Sequence, residues 1–167
     1  MKPVILLARR ASLLPVVLAS VALFTLMIMT FADVLLRSAL NAPIEQATEL
    51  TRIFMVIIVF GVMPVMTARG DHISVDLTDG IFYRLRLNNV RDGLVYIVCG
   101  VMMFWPVQRV WVLAERWRSY GDVTEYLAFP QFYVGWFIAA FTALTAIVML
   151  VIGLLHLFAP RFLERTQ

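Results

Sequence analysis

The chain has 167 residues, 62% hydrophobic and 15% charged, with a mean hydropathy of +0.86 and a net charge of +3. Soluble domains carry roughly 45–50% apolar and about 25% charged residues, so this composition excludes a soluble globular protein and indicates an all-α integral membrane protein. No polar stretch is long enough for a second domain, the small positive charge does not indicate nucleic acid, and a lone Cys99 excludes an intrachain disulfide.

Lys2, Arg9 and Arg10 precede a run from Ala11 to Ala32 without a single charge. About 20 apolar residues suffice to cross a bilayer as a helix. Arg9-Arg10 before an apolar run is also a feature of secretory signals, but this run is longer than a signal core and more membrane segments follow. It reads as an anchor and first span, over about 12–35. Asp33 and Arg37 are four apart and can pair at its far end.

Asn41-Ala42-Pro43 has the form of a helix start, with a capping residue and then a proline whose missing N–H is not needed. The second span is expected over 44–69. Glu45, Glu49 and Arg52 share one face near its start, where the helix dipole favours the two acids. Glu49 and Arg52 could pair with each other, or face a protein partner. Gly61 and Pro64 mark an expected kink, because Pro64 deletes a backbone hydrogen bond.

The stretch from Met66 to Leu77 is the pivot of the chain. Gly70 suits a helix C-terminus, since it turns left-handed without a Cβ clash. His72 and Asp76 follow it. Leu77, Ile81 and Leu85 then recur every fourth residue among charges, which predicts a short amphipathic helix in the membrane interface. A third span is expected over 92–114, with Trp105, Trp111 and Trp117 as an aromatic belt. Gly121 ends that helix. The pair Phe129-Pro130 opens the fourth span, over 130–158, because a residue before proline resists α geometry. Residues 1–167 thus form a single four-helix membrane domain.

Orientation follows from the cations. Nine of the 14 Lys and Arg residues lie at the two termini or near the His72 loop; the other five are Arg37, Arg52, Arg109, Arg116 and Arg118. The positive-inside rule then puts both termini and the His72 loop in the cytoplasm of an inner-membrane protein.

Chemistry is hard to find in these spans. His72 and His156 have no metal- or haem-ligand spacing around them. Asp71, His72 and Asp76 could form a hydrolytic set, but a solvated turn capping two helices is the simpler reading. Ion-coupled transporters place an acid or base near mid-span, and here the middles of the spans are uncharged. Catalytic residues, metal sites and cofactors are therefore not expected. Glu49, Arg52, His72 and Asp76 are the candidate partner-interface residues.

Two segments carry a family resemblance. One is Pro43-Ile-Glu-Gln-Ala-Thr-Glu-Leu50, leading into the second span; the other is Ala68-Arg-Gly-Asp-His-Ile-Ser-Val-Asp76, leading out of it. With four spans and a Pro130-led last helix, the chain resembles the small membrane subunit (DctQ type) of tripartite ATP-independent periplasmic (TRAP) transporters. His-Ile-x-Val-Asp at 72–76 is the most specific part. The resemblance implies a non-catalytic scaffold beside a large membrane subunit that carries the substrate and sodium sites. It also implies a periplasmic solute-binding protein that delivers the solute, often an organic acid. The end of the chain at Gln167 without a further span favours a separate large subunit. The alternatives are an autonomous small homodimeric transporter, which would need a membrane-embedded acid, and a membrane assembly protein.

The charge asymmetry makes a direct prediction. In a Cys99→Ser background, Asp122→Cys should react with a membrane-impermeant thiol reagent in intact cells, and His72→Cys should be protected. The reverse pattern would overturn the orientation.

Overall fold

The computed structural model describes the backbone of residues 2–42, 44–70 and 88–158, and side chains within 13–42, 44–70 and 91–158. Four helices follow in order: α1 (Lys2–Leu40), α2 (Ala47–Arg69), α3 (Asn88–Tyr120) and α4 (Gln131–Phe158). Among the described residues there is no strand, only an isolated antiparallel bridge between Val123 and Pro130. Each helix contains a segment long and apolar enough to cross a bilayer: Leu13–Leu40, Ala47–Arg69, Arg91–Tyr120 and Gln131–Phe158. The expected interfacial helix after Asp76 lies outside the described residues, as do His72 and Asp76 themselves.

The helix ends show why these boundaries fall where they do. Gly70 caps α2 at φ +72°, its N–H reaching the carbonyls of Met66 and Thr67. At the end of α3, Gly121 has φ +70°. Its N–H bonds Arg118 O at 3.3 Å, and the Asp122 N–H bonds Trp117 O at 3.0 Å. This pair of bonds is the Schellman closure, which needs the left-handed residue that glycine supplies. The start of α2 differs from the sequence expectation. Asn41, read there as a cap for α2, has φ +50° and closes α1 instead. The next helix begins only at Ala47, with Gln46 at the N-cap position and no side-chain cap bond. Asparagine tolerates both roles, and the turn geometry selected the left-handed one.

The helices stand in a row. α1 packs on α2, α2 on α4, and α4 on α3. The order in space is therefore α1–α2–α4–α3, with α1 and α3 at the edges and no extensive contact between them among the described residues. Lipid tails are as apolar as leucine, so helices in a bilayer associate through close packing rather than water exclusion. The α3–α4 seam is built for this. A Cβ added at Gly153 would lie 2.7 Å from Ile97 Cγ1, 2.9 Å from Gly93 O and 3.0 Å from Ile97 N. Gly93, Gly100 and Ala114 on α3 meet Gly153, Ala146 and Gly135 on α4 along the same line. Gly93 and Gly100, and Ala146 and Gly153, are seven residues apart, as in left-handed packing.

Hydroxyls in the spans are satisfied locally. Thr67 and Thr145, both fully buried, bond Met63 O at 2.9 Å and Phe141 O at 2.8 Å one turn back, and Thr142 bonds Ile138 O at 2.7 Å. Such bonds hide a polar atom without a second helix.

The seam predicts an asymmetry between glycines. Gly153→Ala should destabilise the protein in detergent by about 1–3 kcal/mol, because backbone atoms of α3 must move aside. Gly61→Ala, where nothing lies within 4 Å of the added methyl, should be neutral or stabilising by up to about 1 kcal/mol from helix propensity alone. Thermal unfolding of the two variants checks the contrast.

Candidate functional site

The most organised polar structure lies at the end of the row where α1 and α3 end and α2 and α4 begin. Two acids hold it together. Asp33, 9% exposed, receives Arg37 Nη2 at 2.9 Å on one oxygen. Its other oxygen accepts the backbone N–H of Ile44 at 2.8 Å. The i, i+4 pair was legible in the sequence. The second bond, which ties the α1–α2 turn back onto α1, was not.

Glu49 does the corresponding work for the α3–α4 loop. It is 9% exposed. Its two oxygens accept the consecutive backbone N–H groups of Tyr126 at 2.9 Å and Leu127 at 3.0 Å. Glu49 is thus bound to its own chain, not to Arg52. A carboxylate with two oxygens is the side chain that can take two adjacent backbone donors, and charge-assisted bonds of this kind are strong. The loop is also braced from within. Thr124 N–H bonds Phe129 O at 3.0 Å, and Phe129 N–H bonds the Thr124 hydroxyl at 3.0 Å. Gln131 N–H bonds Asp122 O at 3.1 Å. Ala128 takes φ +49° to close the turn before Pro130.

Between this loop and the start of α2 lies an open cleft of about 360 Å³, lined by Glu49, Arg52, Trp117, Glu125 and Gln131 among others. Arg52 is exposed and has no ion pair among the described residues. Glu45 lies in the turn before α2, exposed to solvent. Of the four residues singled out from sequence, the structure brings Glu49 and Arg52 to one cleft; the other two lie outside the described residues.

Aromatic side chains pack beside the cleft. Trp111 stacks on Trp136, with centroids 6.1 Å apart, and Arg118 lies 5.5 Å above the Trp136 ring. Trp136 Nε1 is buried with no acceptor among the described residues. At the opposite end, His156 stacks on Tyr96 at 5.8 Å and 8°. Among the described residues no three His, Cys, Asp or Glu side chains form a metal-binding group.

The family model for the DctQ component of tripartite ATP-independent periplasmic transporters matches residues 26–158. The chain belongs to the DctQ family. It is accordingly a TRAP-type small membrane component, a multi-pass membrane protein with four helices able to span the bilayer. No curated protein and no solved structure gives a significant match. The matched segment contains Asp33, Glu49 and the whole 121–131 loop, so the two tethered turns lie within the family region.

The tether has a measurable signature. Replacing Glu49 by Ala should speed hydrogen exchange at the Tyr126 and Leu127 amides toward that of exposed loop amides, while amides in the middle of α4 stay protected. Unchanged exchange at both amides would remove Glu49 as the anchor of the loop.

Proposed function

We propose that this DctQ-type chain is the non-catalytic scaffold of a TRAP transporter in the bacterial inner membrane, with both termini cytoplasmic. It holds a large membrane subunit that carries out sodium-coupled uptake of a solute, an organic acid by family resemblance, delivered by a periplasmic solute-binding protein. The observation that carries this reading is the use made of its polar groups. Asp33 and Glu49 accept backbone N–H groups that shape turns, and the buried threonines bond their own helices. Groups spent in this way rigidify a membrane domain; a transport site instead needs polar groups left available to a solute or ion.

Within this reading, Arg52 in the cleft contacts the large subunit, and Glu49 contributes by fixing the loop beside it. His72 and Asp76 hold the cytoplasmic turn or touch the same partner there. A charge at the depth of Arg52 is better placed against protein or water than against lipid.

Reconstitution tests the proposal. The chain alone in liposomes should move no solute. With the large subunit and the binding protein present, a sodium gradient should drive uptake. Arg52→Ala should lower recovery of the large subunit in mild detergent, and Glu45→Ala should not. His72→Gln should leave the pH profile of uptake unchanged. Coupled uptake by the chain alone would overturn the scaffold assignment.

A further inference from the structure

Edge helices of a membrane domain face lipid unless something covers them, so they are expected to be the most apolar. α1 is strongly apolar, with a mean hydropathy of 2.4 over an 18-residue window, second to α4 inside the row at 2.6. α3, the other edge, is the least apolar of the four, at 1.6. Gly93, Ile97, Gly100 and Ala114 point at α4. At 100° per residue, Val98, Met102, Trp105, Arg109, Val112 and Arg116 fall on the opposite side of α3. All six are exposed, Met102 at 71% and Trp105 at 67%.

Arg109 decides how this face is used. The charge-free stretch from Gly93 to Gln108 spans only about 24 Å, against about 30 Å for a hydrocarbon core. With the Arg91–Asp92 pair, 3.0 Å apart, set at one interface, this length places Arg109 short of the other. Its guanidinium does not reach outward. It sits 5.5 Å over the ring of Trp105, one turn nearer the middle of the membrane. Helical side chains lean toward the N-terminus, and here that direction is inward. Arg118 has Glu115 at 3.2 Å, but Arg109 has no carboxylate among the described residues.

We propose that the outward face of α3 is the surface on which the large membrane subunit packs, and that Arg109 receives an acidic side chain or helix-end carbonyl from it. This inference rests on the function proposed above. Lipid tails offer no acceptor, and a phospholipid phosphate lies on the outer side of Arg109 while the guanidinium leans away from it. A second copy packed face to face would bring Arg109 against Arg109. A polypeptide with acceptors inside the membrane fits the geometry, and the apolar residues around Arg109 would exclude water from the contact. Trp105 supplies a large rigid anchor next to the charge, a pairing frequent at the energetic centre of interfaces.

The test uses the complete transporter in native membranes. A benzophenone amino acid is placed at Met102 and irradiated, and adducts are identified by mass spectrometry. The expected adduct is with the large subunit. Arg109→Leu should lower recovery of that subunit about tenfold or more, as expected when one partner of a buried charge pair is removed. Arg109→Lys should lower it less. Accumulation and monodispersity of the Arg109→Leu chain, expressed alone, guard against a folding defect. Adducts at Met102 with lipid only, or with a second copy, while the large subunit still co-purifies with the unaltered chain, would overturn the assignment of this face. So would loss of a bound phospholipid, rather than of the subunit, in Arg109→Leu. Failure of the unaltered chain to recover any large subunit would instead refute the proposed function, and this inference with it.

Discussion

The carboxylate of Glu49 fixes the α3–α4 loop at the distal end of this protein. The loop from Gly121 to Pro130 joins two long helices and has backbone donors that water would otherwise satisfy. At the edge of a membrane, unsatisfied N–H groups are costly. Glu49 accepts two of them in succession and so links the first turn of α2 to the turn between α3 and α4. α2 packs on both α1 and α4. The bond therefore joins the centre of the row to its far side. Asp33 makes the equivalent link from α1 to the α1–α2 turn. With both in place, the distal turns are fixed to the helices they connect.

This bracing matters because a row has no closed core. Four helices in the order α1–α2–α4–α3 leave much of their side-chain surface outward, and most of the exposed residues on α1 and α3 are large and apolar. In water such a surface would aggregate; in a bilayer it is the correct solvent. Cohesion comes from the small-residue seam between α3 and α4, where backbones touch, and from the tethered turns. The result is a row of helices with two edges of different chemistry. The arrangement agrees with membership of the DctQ family of small membrane components.

Much of this was legible in the residue order. The charge-free runs of α1 and α4, the glycines that end α2 and α3, the proline before α4 and the Asp33–Arg37 pair are local features, read within a turn or two of chain. Local rules also misjudged one boundary. Asn41 is a good cap in either direction, and only the turn around Ile44, pulled back by Asp33, shows that it closes α1 rather than opening α2.

What the sequence determined by itself was four segments able to span a membrane, because length and hydropathy act on each segment independently of the others. Tertiary structure decided which helices touch, and therefore what each polar residue is for. Glu49 and Tyr126 are 77 residues apart, so no spacing rule could join them. Seen in sequence, Glu49 was an acid near the start of the second span and Arg109 one of the five cations away from the termini and the His72 loop. Seen in the folded row, Glu49 is an internal anchor, and Arg109 lies on the side of α3 away from the α4 contact. Periodicity defines the faces of a helix, but only packing shows which face is covered.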